Sequence, residues 1–297
     1  MAEAPLRVAL IGYGAAGRIF HAPLIRHAPG LELALVASRR RDELAHALPG
    51  VEVVSLAEEA LLRPDIDLVA IASPNATHAP LAEAALRAGR HVVVDKPFTL
   101  SLADARRLAA LAAACGRVLA VFQNRRWDGD FLTVQRLVGD GTLGRVAEFH
   151  SHFDRFRPVV QDRWREDDAP GGGLWYDLGP HLLDQALQLF GLPEAISADS
   201  APTAASTGAA RSCAGARWSG RRARGAEDAR APRRRRAARR VPAQRVLRRA
   251  QAQAHAHDRR HRGDHRMTTT PVAVAPSTYN RTEAVTQTRV AYGGGTL

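Results

Sequence analysis

The chain has 297 residues, with 42 Lys or Arg against 30 Asp or Glu for a net charge of +12, and 45% of its residues are hydrophobic. That length allows two domains with a core each, while the lack of a long apolar run and the unlike contexts of Cys115 and Cys213 exclude a membrane span, a disulfide scaffold and a zinc site. The charge is unevenly spread: residues 1–199 hold 21 basic against 25 acidic side chains, −4, and residues 200–297 hold 21 arginines against five acids, +16.

The first stretch, MAEAPLRVALIG, enters a strand pattern without a charged leader, so a cytoplasmic protein is expected. LRVALIG is a short apolar run that stops at glycines, as a buried parallel strand does. GYGAAGRIFHAPLIRHAPG opens a helix, LELALVASRR is a second strand and DELAHAL a further helix. IDLVAIASP and HVVVDKP are two more buried strands, separated by the alanine-rich helix THAPLAEAALRAG; the helix SLADARRLAALAAACG then leads to the strand RVLAVFQN. Strand and helix alternate throughout, which predicts a doubly wound parallel sheet over residues 1–123. After Asn124 the pattern changes to a helix near DGDFLTVQRLVGDG and a longer strand of mixed polarity, GRVAEFHSHFDRFRP, suited to an antiparallel sheet with one wet face. A helix over 169–191 follows, and LPEAISADS could begin another strand. An incomplete α+β domain with an open, mainly antiparallel sheet is thus expected over 124–199.

Gly12, Gly14 and Gly17 form G-x-G-x-x-G between the first strand and the first helix, with Ala15 and Ala16 between them. In that context backbone N–H groups reach a pyrophosphate at a helix N-terminus. At the end of the second strand, where an NAD enzyme usually carries an acid, stand Ser38, Arg39 and Arg40. A hydroxyl and a guanidinium suit a 2′-phosphate, so NADP is favoured over NAD, with solvated surface arginines the plain alternative. SPNATH puts Ser73, Asn75 and His78 at the carboxyl rim of the sheet, where Asn75 could bond ribose or phosphate, although the segment is also an ordinary turn and helix cap. VVVDKPF carries Lys96, the chain's only lysine, at another strand end, next to Asp95. An ammonium there can donate to a substrate oxygen. In GGGLWYDLGPHLLDQALQLFG, Asp177 and His181 lie four apart on one helical face. On that stretch alone they are equally an acid placed by the helix dipole beside a solvated imidazole.

Together GYGAAGRIFHAPLI, SPNATH, VVVDKPF, QNRRWDGDF, FDRFRP, RWRE and GGGLWYDLGPHLLDQALQLFG resemble the Gfo/Idh/MocA oxidoreductases, and among them the branch containing NADP-dependent scyllo-inositol dehydrogenase. The resemblance runs from the first strand to about Asp199. It implies an N-terminal dinucleotide domain and a second α/β domain whose open sheet usually mediates homo-oligomerisation. The family's Glu-Lys-Pro motif supplies a lysine near the nicotinamide; this chain has Asp95-Lys96-Pro97. Asp177 and His181 fall on the family's remaining catalytic groups. Trp164 and Arg165 fall in the family's nicotinamide surroundings, and Arg126, Phe156 and Arg157 in its substrate surroundings. The implied activity is hydride transfer between NADP(H) and a secondary hydroxyl or ketone of an inositol-like polyol or sugar. Lys96 would stabilise charge on the oxygen, His181 move its proton, and Asp177 orient the imidazole or hold a neighbouring hydroxyl.

Beyond Ser200 large apolar residues nearly vanish, so residues 200–297 are expected to form a disordered basic tail. A nucleic-acid-binding arm is one reading of its arginines. Metal binding by His255, His257, His261 and His265 lacks a supporting spacing, so no metal is expected. A slipped reading frame in a GC-rich gene, which yields Ala, Arg, Gly and Pro, is the reading preferred over both. The choice of function then lies between an active oxidoreductase and a defunct dinucleotide-binding fragment.

Overall fold

The computed structural model describes residues 4–154, 170–193, 195–198, 216–219 and 285–291. The chain divides into two units, Met1–Asn124 with Arg234–His257, and Arg125–Arg233 with Asp258–Leu297.

In the first unit, β1 (Leu6–Ile11), β2 (Leu31–Ala37), β3 (Glu52–Val54), β4 (Leu68–Ile71), β5 (His91–Asp95) and β6 (Leu119–Phe122) form one sheet in the order β3-β2-β1-β4-β5-β6, parallel throughout. These strands are apolar on both faces. Along β1, Ala9 and Ile11 join one core cluster and Val8 and Leu10 the other. A sheet of that kind needs helices on both sides. On one side α3 (Ala57–Leu62), α4 (His78–Arg87) and α5 (Leu102–Ala114) supply Ala60, Ala82, Leu86, Leu108 and Ala112. On the other α1 (Ala22–His27) and α2 (Arg41–Ala47) supply Ala22, Ile25 and Leu44. Each fully buried Leu, Ile or Val contributes about 1.5–3 kcal/mol, which makes this double burial the main force holding the unit together. The start of α5 is fixed by Ser101, whose hydroxyl accepts the Asp104 N–H at 3.0 Å.

The doubly wound sheet expected from the sequence is therefore present. Chain connection runs outward from β1 to β3 and then returns to β4 on the other side of β1, and the carboxyl ends of β1 and β4 flank the point of reversal. Two elements differ from the sequence reading. β3 and α3 were not anticipated, because a three-residue edge strand is too short to show a period. The first helix passes through a π-type segment, Gly17–His21, before α1.

In the second unit, α6 (Gly129–Gly139), β7 (Glu148–Asp154), α7 (Gly173–Phe190) and β8 (Ala195–Ala198) follow the expected order. The Phe149 and Phe190 rings meet edge-on at 5.4 Å, seating the end of α7 on β7. β9 (Ala216–Ser219) pairs antiparallel with β8, and β10 (Val285–Ala291) pairs antiparallel with β7. These two short strands fall within the residues expected to form a basic tail. The edge of β7 supplies the backbone partners of β10. The rest of 200–297 lies outside the described residues. Among the described residues no helix is long and apolar enough to cross a membrane, and no group of three or more side chains could hold a metal ion.

Candidate functional site

The glycine turn follows directly from β1. Gly12 has φ +94°, and a Cβ there would lie 2.7 Å from the Ala72 carbonyl oxygen, just past β4. A Cβ on Gly17 would run into the Gly12 carbonyl oxygen. The chain itself thus demands both outer glycines. Gly14 is different: a Cβ there would meet nothing within 4 Å. No packing requirement explains it, whereas close approach of a ligand to the backbone would. The helix begins at Ala15, and the N–H groups of a first helical turn have no intrahelical acceptors, so Ala15, Ala16 and Gly17 stand where an anion could be held. These features fit the pyrophosphate of a dinucleotide.

At the end of β2, Ser38 donates its N–H to Val54 O at 2.8 Å and its hydroxyl accepts the Arg40 N–H at 3.3 Å. Arg40 turns back, its guanidinium donating to the Tyr13 carbonyl inside the glycine turn and pairing with Glu43 at 3.3 Å. Arg39 is exposed. Arg40 therefore ties the two loops together, a task its neighbourhood in sequence did not disclose, and Ser38 with Arg39 forms the open edge.

After β4, the Ser73 and Thr77 hydroxyls are 2.6 Å apart and Thr77 donates to Pro74 O at 2.7 Å, closing the turn Asn75–Thr77. Asn75 is buried. His78 is 1% exposed, with Nδ1 2.8 Å from Pro97 O and Nε2 2.9 Å from Ser73 O. Its ring thus faces two backbone carbonyls and fastens the loop after β4 to the loop after β5. At the end of β5, the Lys96 N–H donates to Asp95 Oδ1 at 2.9 Å, and Lys96 itself is half-buried before a cis peptide bond to Pro97. Burial alone would raise the Asp95 carboxyl; the His21 imidazole, the Lys96 ammonium and the Lys96 N–H outweigh it and hold the group below its ordinary range.

The second unit carries the other catalytic candidates. Asp177 and His181 lie on α7, and the same face continues to Asp184, which sequence reasoning missed although the spacing of three from His181 was available. Asp184 accepts both arms of Arg126, at 2.6 and 2.5 Å. This bond raises the affinity of Arg126 for its proton against the effect of burial. Gln185 donates to Arg125 O at 3.1 Å, and the Arg125 guanidinium lies 4.6 Å over the Phe153 ring, whose centre is 6.5 Å from that of His181. Arg126, expected in the substrate surroundings, is thus engaged in docking α7 to the turn Asn124–Trp127. Phe156, Arg157, Trp164 and Arg165 lie outside the described residues. The catalytic candidates are divided between the units, Lys96 in the first and Asp177 and His181 in the second.

Residues 6–123 match the model of an oxidoreductase family with an NAD-binding Rossmann fold, and residues 131–229 match that of the GFO/IDH/MocA C-terminal domain. The second match runs past Asp199, where the sequence resemblance had been taken to end, and includes β9. The chain is 59% identical over 194 residues to the uncharacterized oxidoreductase YdgJ of Escherichia coli, covering 65% of this chain and 56% of that protein. It is 38% identical over 194 residues to the scyllo-inositol 2-dehydrogenase (NADP(+)) IolW of Bacillus subtilis, covering 65% and 54%. The crystal structure of a candidate oxidoreductase from Klebsiella pneumoniae superposes with a TM-score of 0.61 at 59% identity, covering 66% of this chain and 55% of that one. The chain spans about half the length of the curated relatives it matches.

Proposed function

Because the chain belongs to the Gfo/Idh/MocA oxidoreductases, we propose that it is an NADP-linked dehydrogenase acting on a secondary hydroxyl or the matching ketone of an inositol-like polyol or sugar. The observation that carries the reading is the glycine turn, in which Gly12 and Gly17 are required by packing and Gly14 opens onto free space that a ligand can approach. When bound, the nicotinamide supplies the hydride acceptor or donor. The first turn of the helix after Gly14 holds the pyrophosphate, and Ser38 with Arg39 receives the 2′-phosphate. Lys96 donates to the substrate oxygen and stabilises negative charge developing on it. His181 takes the hydroxyl proton in oxidation and returns it in reduction, a task an imidazole can perform. Asp177, one turn earlier on α7, orients the imidazole or holds an adjacent hydroxyl. Likeness to a scyllo-inositol dehydrogenase that uses NADP supports both the substrate class and the cofactor.

The test is direct. NADPH should quench or enhance protein fluorescence with a tighter midpoint than NADH, and inositols or their ketones should drive absorbance change at the nicotinamide band. A second reading is a dinucleotide-binding protein without turnover. NADPH binding with no turnover on any polyol, sugar or ketone would support it.

A further inference from the structure

His181 stands on α7, and a helix backbone does not by itself fix the plane of an imidazole, because the torsion that turns the ring is broad. Two other elements of the second unit close around it. The Phe153 ring of β7 is buried and lies 6.5 Å from the His181 ring, centre to centre, at 48°. The Arg125 guanidinium lies 4.6 Å over the same phenyl ring and donates to Asp128 Oδ2 at 2.8 Å. Arg125 also meets α7 through its main chain, where its carbonyl accepts Gln185 Nε2 at 3.1 Å, one turn beyond His181 on the same helical face. The contacts make a circuit: from His181 along α7 to Gln185, through the Arg125 main chain to its guanidinium, and over Phe153 back to His181. Docking of α7 at this point uses only a carbonyl, which any residue provides. A cation over the phenyl face needs a particular side chain.

Resting on the reading of His181 as the group that moves the substrate proton, we propose that Arg125 is a positioning residue for His181 and acts through Phe153. The guanidinium holds the phenyl ring in one plane, and the imidazole is set against that ring. The side chain of Arg125 thereby fixes the direction of the His181 ring nitrogens, while its carbonyl fixes the height of α7.

The test reads the imidazole itself. The full chain is labelled with ring-carbon-13 histidine, and the His181 signal is the one lost in His181→Gln. Arg125→Met removes the cation and keeps the main-chain bond to Gln185. It should shift the His181 ring-proton signal, because the field of the Phe153 π-system at the imidazole depends on how the two planes are turned. Arg125→Lys, which keeps a cation for the phenyl face, should return the signal toward its parental position. In a Phe153→Leu background Arg125→Met should shift it no further. If Phe153→Leu does not fold, Phe153→Met takes its place in the cycle. In turnover Arg125→Met should lower kcat about tenfold and leave NADPH affinity within about twofold, as a misdirected group does. An unmoved signal in Arg125→Met, an equal shift with and without the phenyl ring, or a moved signal with kcat unaltered overturns the proposal and leaves the dehydrogenase reading standing. A His181→Ala protein with undiminished turnover removes that reading, and the proposal with it.

Discussion

Adding one methyl group to Gly12 and one to Gly14 should have opposite consequences. At Gly12 the new Cβ would sit 2.7 Å from Ala72 O and 2.9 Å from Ser73 N, both backbone atoms that cannot swing aside, at a φ of +94°. Strain at such a dihedral costs about 1–3 kcal/mol and overpacking about 1–3 kcal/mol more. Gly12→Ala should therefore lose about 2–6 kcal/mol, a fall in Tm on the order of 10 °C or more for a unit of this size. At Gly14 the same methyl meets no protein atom within 4 Å, so stability should hold or improve by about 0.4–1 kcal/mol as the unfolded chain loses freedom. If a pyrophosphate occupies that space, the methyl costs about 1–3 kcal/mol on binding alone, a loss of roughly 5- to 150-fold in NADPH affinity. Thermal melts without nucleotide and NADPH fluorescence titrations separate the two effects. A Gly14→Ala protein that binds NADPH as tightly as the parent would refute the reasoning, because the open space would then serve no ligand.

Substitution of Arg39 by Ala should erase a preference for NADPH over NADH while leaving NADH affinity within about twofold, measured by the same titration; an unchanged ratio removes the 2′-phosphate assignment. His181→Ala and Lys96→Ala should each lower kcat by roughly 10²- to 10⁴-fold with little change in NADPH affinity, measured at saturating substrate. Asp184→Ala leaves the half-buried Arg126 guanidinium without its bidentate partner and should cost about 1–3 kcal/mol in denaturant unfolding; Asp184→Ala at parental stability would show the pair to be idle. Asp95 is held below its ordinary value of 3.8 in the folded protein, so its contribution to stability is complete above that pH and is lost as pH falls through the lower folded value. Asp95→Asn should accordingly flatten the acid limb of stability against pH, seen in urea unfolding at pH 6, 4 and 3.

The sheet was legible because both-face burial writes itself as continuous apolar runs ending at glycines, and β1, β2, β4, β5 and β6 all do so. β3 was not, since Glu52-Val53-Val54 is held by β2 and carries little pattern of its own. The glycine turn, Lys96 and the α7 pair were legible from residue type at strand and helix ends. What escaped was the layer that fixes them. His78 looks like a rim ligand until its ring is seen between two carbonyls. Arg40 looks like Arg39 until it folds back on Tyr13. Asp184 and Arg126 lie 58 residues apart, and no local spacing announces a pair at that distance. β10 escaped for the same reason: its seven residues gain a partner only from a strand far earlier in the chain.

That long return has a consequence during synthesis. Every strand of the parallel sheet lies within residues 6–122, so its pairings can close soon after Phe122 leaves the ribosome. β7 pairs Asp154 with Val285, about 130 residues later. At about 5–20 residues per second, the edge of β7 that β10 will cover waits roughly 7–25 s for its partner. Through that interval a closed parallel sheet is tethered to an open strand edge, the kind of surface on which neighbouring nascent chains add strands. Chaperone dependence should therefore track the pairing of β7 with β10.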